Sequence, residues 1–173
     1  MNLVKRKTSI KIEANSNIER HPVPVLGVDY RVKIVYKNIK ITELDVEDKT
    51  IKISLPNRYK RMDNKEILDL AIDKMYEQIA KVEIERAMEK TRIMVGFAPE
   101  EYEIKKIKTL GKCEENKIII HPEVVKYNRK IIDYIVLHQY CHLKYKTHCK
   151  RFLDMLEKYY PDYKKCETVL SDM

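Results

Sequence analysis

Glycine is scarce in this chain, with three residues in 173, which points to regular structure joined by compact turns. Cysteine is nearly as sparse. Cys113, Cys141, Cys149 and Cys166 form no Cys-x-x-Cys pair and are too few for a disulfide scaffold, so reduced thiols are expected. No apolar run approaches the roughly 18 residues of a membrane span, and no apolar segment follows the basic start Met-Asn-Leu-Val-Lys-Arg-Lys. A membrane role and a secretory leader are therefore not expected, and the cytoplasm is the simplest compartment. Internal repeats and low-complexity stretches are absent as well.

What is present fits a folded chain. Apolar residues make up 44%, which argues against disorder, and charged residues 36%. The net charge of +8 and a pI near 9.1 allow contact with nucleic acid or another polyanion. The positive residues are spread along the chain among acids. Their densest groups are Lys5–Lys7, Arg58–Arg61 and Lys144–Arg151, and a solvated basic surface is the favoured explanation.

The first half reads as strands. Val28–Tyr36 and Lys49–Leu55 alternate apolar and polar residues, Ile39–Leu44 lies between them, and Val4–Ile12 is a further candidate. His21-Pro-Val-Pro24 reads as a loop, since neither proline donates to a ladder. A long helix is expected from Asn64 to Arg92, capped by Asp63 or Asn64. Its apolar stripe is Ile67, Leu70, Ala71, Met75, Ile79, Val82 and Ala87, and Gly96–Pro99 breaks it. Tyr102–Lys108 and Asn116–Ile120 read as strands joined by the connection Leu110–Glu115. Helices are then expected over Pro122–Tyr145, Arg151–Tyr159 and Tyr163–Leu170. The class is α+β: an N-terminal antiparallel meander, a long helix, a small antiparallel sheet, and a histidine-bearing helix with C-terminal helices. Residues 1–56 form the β-rich region and 57–173 the remainder, together one compact domain.

Chemistry concentrates in one place. Three of the five histidines, His138, His142 and His148, fall within eleven residues, after the apolar run Ile131–Leu137. On a helix, His138 and His142 differ by about 40° and lie ~6 Å apart along the axis, so both imidazoles reach one metal ion. His148 would lie ~9 Å beyond His142 if the helix continued, so the chain must turn soon after Tyr145 for it to join them. Thr147 is a plausible N-cap for the next helix. Three protein ligands and an open fourth position suit a catalytic zinc. Cys141 projects to the side of the pair and reads as a small buried hydrophobe.

The segment His138-Gln-Tyr-Cys-His-Leu-Lys-Tyr-Lys-Thr-His148 resembles that of the YgjP-like metallohydrolases, which are related to the SprT and WLM groups. Ile132–Val136 is similar to the family's lead-in, Phe152 and Tyr160-Pro-Asp-Tyr163 to its tail, and Gly111–Cys113 with Ile118–Ile120 to its strand pair. The likeness spans roughly Val25 to Leu170. It implies a zincin-like fold, zinc held by His138, His142 and His148, and hydrolysis, usually of peptide bonds, with a substrate strand at a sheet edge. For the YgjP branch it also implies a nucleoside-triphosphate (UTP) pyrophosphatase activity. The chain departs from the pattern at Leu110, Lys112 and Thr147, and at Gln139, where the family motif His-Glu-x-x-His places its general base. Glutamine is nearly isosteric with glutamate but accepts no proton at a working pH. A disabling substitution and a natural pseudoenzyme both fit it. The competing function is a non-catalytic, zinc-stabilised protein that binds nucleic acid or another polyanion. Substrate and oligomeric state are not encoded legibly.

Overall fold

The computed structural model describes residues 22–171. The expected strand at Val4–Ile12, the loop residue His21 and the basic group Lys5–Lys7 lie outside them, while Val23 and Pro24 of the loop expected over His21–Pro24 instead belong to a strand at the sheet edge. Four strands come first: β1 (Val23–Val25), β2 (Val28–Lys37), β3 (Glu43–Glu47) and β4 (Thr50–Pro56). They form a sheet in the order β1-β2-β4-β3. β1 and β2 make a hairpin through Leu26 and Gly27, whose φ values of 52° and 79° satisfy the left-handed geometry of a tight turn.

The α+β class holds, but the meander is not antiparallel throughout. β2 and β4 pair in parallel from Arg31↔Thr50 to Lys37↔Pro56, and β3 lies outside them, antiparallel to β4. Burial explains the order. β4 carries the buried Ile51, Ile53 and Leu55, so it takes an interior position in the sheet. β3, Glu-Leu-Asp-Val-Glu, is polar and mostly exposed, which suits an edge. The strand expected at Ile39–Leu44 starts only at Glu43, and Ile41 is 75% exposed on the crossing segment.

After a 3-10 turn at Asn57–Arg61, α1 runs from Asn64 to Val95. The Asp63 carboxylate caps it, accepting from the backbone N–H of Lys65 (2.8 Å) and Glu66 (3.4 Å). At its other end Gly96 adopts φ 80° and donates its N–H to the Arg92 carbonyl, closing the helix. The buried stripe is Ile67, Leu68, Ala71, Met75, Tyr76, Ala80, Ile84, Ala87 and Met88. Leu70 and Ile79 are only half-buried, and Val82 is 66% exposed. The buried place next to Val82 belongs to Glu83, whose carboxylate accepts from Arg86 (2.9 Å) and Arg129 (2.6 Å).

β5 (Glu101–Ile104), β6 (Gly111–Glu114) and β7 (Lys117–Ile120) make the second sheet, in the order β5-β7-β6. β5 pairs with β7 in parallel and β6 with β7 antiparallel, so this sheet too is mixed. β6 occupies a segment that the residue pattern left as a connection and that the family resemblance marked as one of a strand pair. The expected helix from Pro122 is divided: a 3-10 turn covers Pro122–Lys126, and α2 runs from Arg129 to Lys144. Asn128 causes the division, because its side-chain oxygen accepts from the N–H of Ile131 (3.1 Å) and starts a new helix. α3 (Lys150–Tyr159) and α4 (Tyr163–Ser171) follow. Residues 131–137 of α2 are all buried, and all of them but Asp133 join α1 and the first sheet in one apolar cluster. No helix of the described residues is long and apolar enough to cross a membrane.

Candidate metal centre

α2 presents His138 and His142 one turn apart, as their spacing predicts. The helix then ends: Tyr145 has extended backbone and donates its N–H to the Cys141 carbonyl (2.9 Å). The five residues from Tyr145 to Cys149 carry the chain around before α3. Cys149, not Thr147, is the N-cap of α3, and no side chain caps that helix end. The correction leaves the turn itself intact, and the turn is what delivers His148.

The three imidazoles meet through their Nε2 atoms. His138 and His142 are 3.2 Å apart there, His138 and His148 3.0 Å, and His142 and His148 3.1 Å. A tetrahedral zinc with Zn–N bonds of 2.0–2.1 Å spaces its nitrogens by roughly 3.3–3.4 Å. With the ring protons on Nδ1, three Nε2 lone pairs would converge with no proton between them, and a divalent cation would satisfy all three. Among the described residues, His138, His142 and His148 are the group of three or more histidine, cysteine or acidic residues placed to hold a metal.

The surroundings of His138 and His142 favour their neutral forms. Burial, and then the neighbouring His142 and His148, push the His138 pKa down to about 4. Burial also lowers that of His142, although its bond to the Tyr145 carbonyl opposes the shift. Neutral imidazole is the form that ligates. The fully buried Phe152 of α3 supports all three rings, its centroid 5.0, 4.7 and 4.6 Å from those of His138, His142 and His148. One side of the site is thus apolar, while His148 is exposed.

The outer nitrogens are held too. His142 Nδ1 lies 3.1 Å from the Tyr145 carbonyl oxygen, which accepts its N–H. His138 Nδ1 lies 3.2 Å from the Tyr134 hydroxyl, itself 3.2 Å from Glu167 Oε1 on α4. Neither Tyr134 nor Glu167 stood out in the sequence. Tyr134 was detectable as the residue one turn before His138, whereas Glu167 had no local signal.

Gln139 is 7% exposed and packs beneath β6. A Cβ on Gly111 would come within 3.0 Å of its Nε2 and 3.1 Å of its Cδ and Cγ. Glycine at 111 is therefore what allows a long side chain at 139. Cys141 is fully buried, and burial pushes its thiol up to about 12, in keeping with a packed hydrophobe. All four cysteines are free. Of the basic group nearby, Lys150 is paired with Asp154 (2.9 Å), Lys144 lies over the Phe97 ring (4.2 Å), and Lys146 donates to the Glu115 carbonyl on the β6–β7 turn (3.3 Å).

The model of one protein family, described as YgjP-like, metallopeptidase domain, matches residues 2–173. No curated protein matches the chain. Among solved structures it is similar to the metallopeptidase zymogen abylysin of Pyrococcus abyssi, with 21% identity and a TM-score of 0.47 over 52% of this chain and 94% of that one. It is also similar to the metallopeptidase zymogen jannalysin of Methanocaldococcus jannaschii, with 18% identity and a TM-score of 0.44 over 52% of this chain and 88% of that one.

Proposed function

The chain belongs to the YgjP-like metallopeptidase-domain family, and from that premise we propose that it is a zinc-dependent hydrolase of the peptidase type, slowed or silenced at Gln139. The observation that carries the reading is the convergence of His138, His142 and His148 Nε2 within 3.0–3.2 Å. When bound there, zinc supplies Lewis acidity, polarising a carbonyl and easing the loss of a proton from water. The chain's own residues do the rest. The three imidazoles hold the ion, Phe152 keeps water from one side of it, and residue 139 is the side chain next to a ligand on the helix face under β6.

At that position a carboxylate would take the proton of the attacking water. The Gln139 amide hydrogen-bonds water but takes no proton. The test is Gln139→Glu, which fits the same slot under Gly111. Hydrolysis should rise by about 10²-fold or more while zinc affinity stays nearly unchanged. Equal, near-zero rates in both forms with zinc bound would instead support the second reading, a zinc-stabilised binding protein. Gln139 itself favours that alternative.

A peptide is the substrate the sheet suits best. β6 is an outer strand of its sheet, and its first residue, Gly111, lies directly over Gln139. An extended peptide that added to that edge would run past the site with its backbone paired. An anionic substrate, such as a nucleoside triphosphate, is drawn instead by the basic residues, of which Lys146 lies at the β6–β7 turn. A panel of unfolded proteins and nucleotides with the Gln139→Glu form separates the two.

A further inference from the structure

Of the two ligands on α2, His142 is fixed by main chain, since its Nδ1–H goes to the Tyr145 carbonyl at 3.1 Å. His138 is fixed by side chains alone. A neutral imidazole has one N–H, and an Nε2 that holds a metal leaves that proton on Nδ1. That nitrogen is 3.2 Å from the Tyr134 hydroxyl, which must therefore accept there. The hydroxyl's one hydrogen goes to Glu167 Oε1, also 3.2 Å away. Each atom in the row has one role compatible with a metal-facing Nε2.

The row is also mechanically constrained. Tyr134 is 4% exposed and stands edge-on to His138, with centroids 5.7 Å apart and planes at 70°. Tyr160, 6.1 Å away, packs on it as well. Glu167 is exposed on α4 and is not needed for packing.

We propose that Tyr134 and Glu167 are positioning residues that fix His138 as its Nδ1–H tautomer and aim its Nε2 at the metal. The proposal rests on the three-histidine reading of the site. A carboxylate acting on a ligand histidine strengthens its donor nitrogen, and here it acts through an intervening phenol. The consequence is that α4 is tied to the metal by one hydrogen-bonded row.

The test uses Tyr134→Phe, Glu167→Ala and Glu167→Gln, with two readouts: zinc affinity from competition with a chromophoric chelator, and ring ¹⁵N shifts of His138 in the zinc-free protein. Tyr134→Phe should weaken zinc binding by about 10–100-fold and populate the Nε2–H tautomer. Glu167→Ala should produce a smaller loss in the same direction. Glu167→Gln should restore most of it, because the amide oxygen still accepts from the phenol. Wild-type affinity and tautomer in both Tyr134→Phe and Glu167→Ala would overturn the proposal. Should Tyr134→Phe fail to fold, the exposed Glu167 variants decide it. A wild-type protein that binds no zinc would overturn the three-histidine reading, and the tautomer populations would then judge the row by themselves.

Discussion

At the scale of single residues, the site depends on a few close fits. Gly111 is one of them. Alanine there places a Cβ 3.0–3.1 Å from three atoms of Gln139, against a side chain with little room to retreat. Gly111→Ala should cost about 1–3 kcal/mol, typical of overpacking, measured as a fall in the urea midpoint at unchanged slope. It should also displace residue 139, so in a Gln139→Glu background it should lower turnover. No loss of stability or turnover would mean that the slot is looser than the distances imply. The histidine triad was legible in the sequence because spacing alone fixes His138 and His142 on one helical face. The Tyr134–Glu167 row was not: Glu167 is 29 residues beyond His138, and only the docking of α4 brings it near.

At the scale of elements, α1 and α2 are joined by charge as well as by apolar packing. Glu83 accepts from Arg86 and Arg129, and the buried Asp133 accepts from Arg86 (2.8 Å) and Lys90 (2.6 Å). The Arg129 hydrogen bond, followed by that of Arg86, holds Glu83 below its usual carboxylate range, against the opposing effect of burial. Its folded pKa is depressed, so the stability it contributes is present above an unfolded value of about 4.3 and is lost as pH falls through the lower folded value. Glu83→Gln should therefore flatten the acid limb of the stability curve while lowering stability at neutral pH. An acid limb identical to wild type would show that Glu83 is not part of this link. Helical periodicity picked Val82 for the core because it weighs apolar identity, and it had no means of seeing that paired arginines let Glu83 take a buried place. The strand order escaped for a related reason. Alternation marks β2 and β4 as strands, but it says nothing of which lie side by side, and that was decided by the burial of Ile51, Ile53 and Leu55.

For the whole molecule, the net charge of +8 is an excess left after the acids are counted, and several basic residues of the described region are tied to acids. Arg86, Lys90 and Arg129 serve the α1–α2 link, and Lys150 is paired with Asp154. Lys146, near the site, donates to the Glu115 carbonyl. If an anionic substrate is steered to the centre, Lys146→Glu should reduce kcat/KM for it and weaken its salt dependence, with little effect on a neutral peptide. Unchanged salt dependence would reduce the basic rim to ordinary solvated surface.

Everything proposed for the site rests on one ion held by three imidazoles. The most direct measurement is metal content per chain, by elemental mass spectrometry, for the wild-type protein and for His142→Ala after equal exposure to zinc. One zinc per chain in the wild type and its near-complete loss in His142→Ala is the predicted result. Full occupancy in the variant, or a wild-type chain that takes up no zinc, would contradict the account.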